Sequence, residues 1–128
     1  MDLFTRLREM KMLLVEDDKM ISSMYETKLK QEGYIVVTAE NGSSAIELAV
    51  QENPDIVLLD IILPQLDGFS VLQELRGNDK LKKTPIIMLT NLGTTEDKEK
   101  GAKLGATDYL VKANLTPGQV SEKIKEYL

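Results

Sequence analysis

The chain has 128 residues, of which 42% are hydrophobic and 29% are charged, so it is long enough for one domain with its own core. It contains no cysteine and no histidine, which excludes disulfides, thiolate metal sites and a phosphohistidine on this chain. A formal net charge of −5 argues against direct nucleic-acid binding. Because no apolar run could cross a bilayer and residues 1–8 are too charged for a secretion signal, we expect a soluble cytoplasmic protein without a membrane partner.

Short apolar runs alternate with amphipathic segments along the chain, a pattern typical of βαβ units and of a parallel sheet covered on both faces. Residues 1–10 are expected to form an N-terminal extension, and residues 11–128 one domain. The strands are predicted at about residues 11–15, 34–37, 56–59, 86–89 and 109–111.

Capping and terminating residues mark the predicted helices. Asp18, Thr94 and Thr116 are candidate N-caps, and Asn53 before a proline ends the second helix, which begins at about Ser43. The residues expected to face the core are Ile21, Met24, Tyr25 and Leu29 in the first helix, Ala45, Ile46, Ala49 and Val50 in the second, Phe69, Leu72 and Leu75 in the third, and Val120, Ile124, Tyr127 and Leu128 in the last.

The fourth predicted helix, which reaches to about Leu104, has few apolar anchors. It carries Gly101 in its interior, where glycine costs about 1 kcal/mol relative to alanine. Weak anchoring predicts an element that moves readily, and a merely solvent-facing helix explains the pattern equally well.

Several strands end on residues suited to phosphate or metal chemistry. Glu16 and Asp17 follow the first strand, Asp60 the third, Thr90 the fourth and Lys112 the fifth. In an open parallel sheet these positions share the carboxyl edge, where ligands bind. Three carboxylates that lie together repel one another, and a hard divalent cation such as Mg²⁺ relieves the repulsion. A hydroxyl and an ammonium opposite them suit a phosphoryl group. Helix capping is the alternative reading of the acids after the first strand, but it does not explain their coincidence with Asp60.

At these positions the chain resembles the receiver domain of two-component response regulators, over nearly its whole length from about Lys11. The stretches that carry the resemblance are LLVEDD at 13–18, LDIILPQLDG at 59–68, MLT at 88–90 and GATDYLVK at 105–112. The resemblance implies a flavodoxin-like (βα)5 fold, a three-layer α/β sandwich with the parallel sheet order 2-1-3-4-5.

The resemblance also implies roles for the acids. The family aspartate that matches Asp60 accepts phosphate from a histidine kinase or a phosphotransfer protein. The acids that match Glu16 and Asp17 hold Mg²⁺, with Asp60 and the backbone carbonyl of Ile62 as further ligands. Such a chain is not an enzyme in the usual sense, because it catalyses only its own phosphorylation and dephosphorylation.

The remaining matched residues are implied to bind the phosphoryl group and to signal its presence. Thr90 and Lys112 match the family residues that contact the phosphoryl group. Tyr109 matches the aromatic whose rotamer follows the threonine, although a core aromatic with a surface hydroxyl is nearly as good a reading. The switched surface would comprise the fourth helix, the fifth strand and the fifth helix, and it could also serve a homodimer.

Two positions depart from the family pattern. Ala113 stands where a proline usually follows the lysine through a cis peptide, and a cis bond before alanine costs about 3 kcal/mol, so a trans bond is an open alternative. Asn91 stands where the residue after the threonine is usually small. Its side chain would crowd the approach to Asp60 or hydrogen-bond the phosphoryl group.

Three other readings compete with a phosphoaccepting receiver. A pseudo-receiver would keep the fold and bind proteins without phosphate, and Ala113 is its best support. A Mg²⁺-dependent phosphatase usually has a second aspartate two residues after the nucleophile, where this chain has Ile62. A flavin-binding flavodoxin lacks support because the loop after the first strand is acidic. We expect a stand-alone receiver or the receiver piece of a longer protein, acting on a downstream protein target or output domain.

Overall fold

One parallel sheet organises residues 10–128, the part of the chain that the computed structural model describes. The first nine residues, and with them most of the predicted extension, lie outside this part. The strand order β2-β1-β3-β4-β5 confirms the predicted flavodoxin-like arrangement. The strands are β1 (Lys11–Val15), β2 (Ile35–Ala39), β3 (Ile56–Leu59), β4 (Ile86–Thr90) and β5 (Asp108–Val111).

Five helices connect and cover these strands within the described residues. Asp18 caps the helix Lys19–Gln31 by accepting hydrogen bonds from the backbone N–H groups that follow it, and Thr94 caps the helix Thr95–Lys103 in the same way. Asn53 ends the helix Gly42–Glu52 in the left-handed conformation, with φ 47°. The helices are α1 (Lys19–Gln31), α2 (Gly42–Glu52), α3 (Gly68–Arg76), α4 (Thr95–Lys103) and α5 (Pro117–Lys125), and 3-10 turns lie at Asp79–Leu81 and Lys112–Asn114.

The core has two layers because each strand alternates its side chains between the two faces of the sheet. On one face α2 and α3 pack on the sheet, with Ala45 and Leu72 among the fully buried side chains. On the other face α1 and α5 do so, through Leu29 and Ile124. This arrangement covers both faces and leaves the strand ends as the place where polar side chains gather.

Two of the side chains expected to face the core do not. Met24 is 46% exposed and Val50 is 42% exposed. Met24 precedes Tyr25 of α1, Val50 follows Ala49 of α2, and both of these neighbours are buried. Adjacent residues of an α-helix point about 100° apart, so Met24 and Val50 lie beside the buried face and not within it. The buried face of each helix is narrower than the apolar pattern suggested.

The amino edge of the sheet is closed by one side chain. Arg76, the last residue of α3, donates from Nε to the carbonyl of Gly105 at 2.8 Å. Its Nη1 donates to the carbonyls of Leu81 and Thr84, both at 2.7 Å, and its Nη2 to the Thr107 hydroxyl at 3.3 Å. The guanidinium thereby joins α3 to the segments that precede β4 and β5. Gly105 has φ +99°, and a Cβ there would lie 3.2 Å from the Arg76 side chain.

None of the helices within residues 10–128 has the length and the apolar character that a bilayer crossing requires.

Candidate functional site

The carboxyl edge of the sheet brings three acids together. Strands β1 and β3 are neighbours in the register Val15 to Leu59, so the residues that follow them emerge side by side. One carboxylate oxygen from each of Glu16, Asp17 and Asp60 lies within 4.8 Å of the others. Glu16 and Asp60 are buried, whereas Asp17 is exposed.

Lys112 reaches this acidic cluster from the end of β5. Its Nζ donates to Asp60 Oδ2 at 2.7 Å and forms a second hydrogen bond with Glu16 Oε1. Glu16 also accepts a hydrogen bond from the backbone N–H of Asp18 at 3.1 Å. One ammonium therefore faces three carboxylates, and the site retains an excess of negative charge.

Burial and hydrogen bonding have opposite effects on the pKa values of Glu16 and Lys112. Burial raises the pKa of Glu16, and this effect outweighs the hydrogen bond from Lys112 that lowers it. Burial lowers the pKa of Lys112, but the hydrogen bonds to Asp60 and Glu16 outweigh that effect and hold the pKa above its usual range. Lys112 is consequently a firmly charged ammonium at neutral pH.

The Asp60 carboxylate is held in place from both of its oxygens. While Oδ2 faces Lys112, Oδ1 accepts the backbone N–H of Ile61 at 2.7 Å and that of Ile62 at 3.4 Å. Gly68 allows this loop to close, because a Cβ at that position would lie 2.1 Å from the carbonyl oxygen of Asp60. The tight β3–α3 connection thus fixes the direction of the carboxylate.

Thr90 lies at the same edge, at the end of β4, and is fully buried. Its Oγ1 accepts the backbone N–H of Leu92 at 3.3 Å. The hydroxyl hydrogen remains able to donate to a group bound at the acidic cluster.

Tyr109 is turned toward α4. Its hydroxyl donates to the carbonyl of Leu92, and its ring packs against Gly101, where an added Cβ would lie 3.1 Å from a ring carbon. The glycine in the interior of α4 therefore makes room for this ring. Burial, together with the charges of Asp97 and Asp60, raises the pKa of Tyr109 to about 12.

The structure also shows the arrangement of Ala113 and Asn91, the two residues that depart from the family pattern. The Lys112–Ala113 peptide is trans, as are the other peptide bonds of the described residues. The side chain of Asn91 is turned to Ala113, whose N–H donates to Asn91 Oδ1 at 3.0 Å. Ile62 has a 58% exposed side chain beside Asp60, and the role of its carbonyl as a metal ligand stays a prediction.

One neighbour of the site was assigned only to the core from the sequence. Tyr25 of α1 is buried, and its pKa is raised by burial and modified by the charges of Lys112, Glu16 and Asp60. The charges of the cluster therefore act on its phenol. Nothing in the sequence distinguishes this tyrosine from an ordinary core residue.

The donor set fits a hard divalent cation. Mg²⁺ prefers carboxylate and carbonyl oxygens and retains several waters, so it does not need a complete cage of protein ligands. Three carboxylate oxygens within 4.8 Å of one another, one of them exposed to solvent, satisfy that preference. The unbalanced negative charge supplies the attraction.

Comparisons with known proteins show which family this chain is related to. The family model described as response regulator receiver domain matches residues 12–125. A probable transcriptional regulator, ycf27 of Guillardia theta, is 46% identical over 118 residues, which are 92% of this chain and 45% of that protein. The DNA-binding dual master transcriptional regulator RpaA of Synechocystis sp. is 42% identical over 80% of this chain and 42% of its own length.

A solved structure shows the same architecture. The chemotaxis protein CheY4 of Vibrio cholerae superposes with a TM-score of 0.88 at 33% identity, covering 93% of this chain and 98% of that one. The chain therefore spans less than half the length of the curated relatives named above, but matches nearly all of the solved CheY4 chain.

Proposed function

The chain belongs to the response regulator receiver domain family, and from this premise we propose that it accepts a phosphoryl group on Asp60 in a Mg²⁺-dependent reaction. Residues 11–128 form the proposed receiver domain. The observation that carries the proposal is the contact of Lys112 Nζ with Asp60 Oδ2 at 2.7 Å inside a cluster of three carboxylates.

The proposed phosphoryl donor is a phosphohistidine that lies outside these 128 residues, which contain no histidine. A carboxylate oxygen of Asp60 attacks phosphorus, a P–O bond forms, and the N–P bond of the donor breaks as its imidazole leaves with the bonding pair. The ammonium of Lys112 and the hydroxyl of Thr90 bind the oxygens of the transferred group and stabilise their negative charge. The donor protein is a histidine kinase or a phosphotransfer protein.

Glu16, Asp17, Asp60 and the backbone carbonyl of Ile62 are the residues that would hold Mg²⁺. When bound, the ion supplies positive charge that offsets the carboxylates and the oxygens of the transferring group. Without such a cation, the approach of an anionic phosphoryl group to this cluster is opposed by the two negative charges that Lys112 does not balance.

Phosphorylation is proposed to act on the surface formed by α4, β5 and α5. Thr90 would move toward the phosphoryl group, and Tyr109, whose hydroxyl donates to the Leu92 carbonyl, would follow it. That surface would control a partner or an output domain, or form a homodimer. A cytoplasmic location stays a prediction.

Response regulators are not enzymes in the classical sense, and the curated relatives named above are transcriptional regulators. We infer that a protein containing this receiver would regulate transcription through a DNA-binding output domain. The expectation of no direct nucleic-acid contact then applies only to the receiver itself, whose sequence is acidic.

Beryllofluoride, a phosphoryl mimic, tests the proposed function without a kinase. The protein is titrated with beryllofluoride in saturating Mg²⁺ while the amide spectrum is followed by NMR. We expect shifts around residue 60, at Thr90 and at Tyr109, and none in Asp60→Asn. A parent protein that shows no shifts would favour the pseudo-receiver, which binds partners independently of phosphorylation.

A further inference from the structure

Two loops of the site are joined by a side chain that is not part of the acidic cluster. Asn91 is the first residue after β4, and Ala113 is the second after β5. The N–H of Ala113 donates to Asn91 Oδ1 at 3.0 Å, across 22 residues of sequence. Both of these residues are exposed, so the hydrogen bond lies at the solvent side of the site.

The Ala113 N–H needs an acceptor from elsewhere in the fold. It belongs to the short 3-10 turn Lys112–Asn114, and the first N–H groups of such a turn have no acceptor within it. Val111, which precedes the turn, provides no side-chain cap. An N-cap side chain usually accepts such an N–H from a position just before the helix, whereas Asn91 accepts it from the end of the neighbouring strand β4.

The strand register explains why Asn91 can reach this turn. Thr90 pairs with Val111 in the last step of the β4–β5 ladder. The residues that come next are Asn91 and Lys112, so the carboxamide of Asn91 extends the pairing of these strands beyond its last backbone step. The connection exists only because residue 113 has an N–H, which a proline would lack.

The bond joins the residues that directly follow two members of the proposed phosphoryl-binding set, Thr90 and Lys112. Asn91 directly follows Thr90, and Ala113 directly follows Lys112, whose Nζ contacts Asp60. The turn that carries Lys112 continues directly from Val111, which pairs with Thr90 in the ladder, and the Leu115 N–H donates to the Lys112 carbonyl at 3.2 Å. The Asn91 hydrogen bond adds a side-chain contact between this turn and the end of β4, and it limits how far the Lys112 backbone and its ammonium can shift.

We propose that Asn91 is a positioning residue that holds the Lys112 turn against the end of β4, so that the hydroxyl of Thr90 and the ammonium of Lys112 approach a phosphoryl group as one unit. The proposal rests on the proposed function of Lys112 and Thr90. In this role the Asn91 carboxamide neither binds the phosphoryl group nor blocks access to Asp60.

Three variants separate these roles. Asn91→Ala removes both the bulk and the acceptor, and Asn91→Leu keeps similar bulk but removes the acceptor. Asn114→Ala is the matched control, because it truncates an exposed asparagine in the same turn. Both positions, Asn91 and Asn114, are exposed, so the variants are expected to fold.

The measurements are hydrogen exchange at the Ala113 amide, the affinity for Mg²⁺ alone, and the affinity for beryllofluoride in saturating Mg²⁺. In both Asn91 variants we expect faster exchange at Ala113 and beryllofluoride binding about three- to tenfold weaker, the effect of losing one hydrogen bond. Mg²⁺ affinity, which depends on the acids, stays within about twofold, and Asn114→Ala matches the parent on all three.

Two results would overturn the positioning role. One is unchanged exchange at Ala113 in Asn91→Ala. The other is Asn91→Leu binding beryllofluoride like the parent while Asn91→Ala binds it better, which is the behaviour of a steric gate. A parent that binds Mg²⁺ but not beryllofluoride would refute the proposed function instead. Hydrogen exchange at Ala113 would still show whether Asn91 holds the Lys112 turn.

Discussion

The two edges of the sheet each hold a partly buried cation, and the cations are satisfied in different ways. At the amino edge, the donors of Arg76 meet backbone carbonyls and one hydroxyl, all of them neutral. At the carboxyl edge, Lys112 bonds the carboxylates of Asp60 and Glu16, and that of Asp17 lies beside them. Arg76 links neighbouring segments through neutral acceptors. Lys112 is a single positive charge beside three carboxylates, so negative charge remains for a ligand to balance.

This difference separates a structural cation from a functional one. A charged group whose hydrogen bonds go to neutral backbone acceptors of neighbouring segments stabilises the packing of those segments. A charged group among excess opposite charges makes a site that a cation or a reacting group can complete. The comparison therefore predicts that substitutions at the two edges will affect different measurements.

The largest effect is expected at Lys112. In Lys112→Ala the ammonium no longer faces the transferring oxygens, and we expect phosphorylation by acetyl phosphate in Mg²⁺ to slow about a hundredfold to a thousandfold. Lys83→Ala, at an exposed lysine near the amino edge, is the matched control and should react like the parent. A loss of less than about tenfold in Lys112→Ala would contradict the assigned role.

Arg76 should show the opposite behaviour. Arg76→Ala removes a guanidinium that bonds four residues in the two segments that precede β4 and β5, and we expect the free energy of unfolding to fall by about 3 kcal/mol in urea denaturation. Phosphorylation of the folded fraction should be unchanged. Lys82→Ala breaks only an exposed ion pair with Asp79 and should cost less than about 1 kcal/mol. If Arg76→Ala left stability intact but slowed phosphorylation, the assignment of a structural role to the amino edge and a functional role to the carboxyl edge would be wrong.

A smaller effect of opposite sign is expected at Asp17, the exposed member of the acidic cluster. Without divalent cations, Asp17→Asn relieves repulsion with the neighbouring acids, and we expect a gain of about 1 kcal/mol in the free energy of unfolding. Adding Mg²⁺ should stabilise the parent and Glu47→Gln, an exposed-acid control, but not Asp17→Asn. Equal stabilisation of all three by Mg²⁺ would remove Asp17 from the metal site.

The smallest effect concerns Tyr109 at high pH. Its pKa is raised to about 12 from the usual 10 by burial and nearby acids, so the folded state favours the neutral phenol. This contribution is complete below pH 10 and is lost as the pH rises through about 12. Unfolding measured from pH 9 to 12 should show a shallower loss of stability in Tyr109→Phe than in the parent. Parallel curves would mean that the phenol is not shielded.

The sequence predicted the parts of the fold that depend on local patterns. Strand positions follow from apolar runs, and the caps at Asp18, Thr94 and Thr116 follow from short-range hydrogen bonding. The gathering of the acids at one edge also followed, because parallel strands end together. The inward placement of Met24 and Val50 was wrong, since hydropathy alone does not fix the width of the face that a helix buries.

Contacts between distant segments were beyond the sequence. The acceptors of Arg76 are backbone carbonyls, which carry no signature of residue type. The need for Gly101 becomes clear only when the ring of Tyr109 lies against it. Asn91 was noted as unusual, but the N–H it accepts depends on the turn after β5 and on a trans peptide at Ala113.

The most direct test of phosphoryl transfer to Asp60 is intact-mass spectrometry after incubation with acetyl phosphate and Mg²⁺. We predict that the parent gains the mass of one phosphoryl group, that Asp60→Asn gains none, and that chelating Mg²⁺ suppresses the gain. A parent that gains no mass, or an Asp60→Asn variant that gains the same mass, would contradict phosphorylation at this residue.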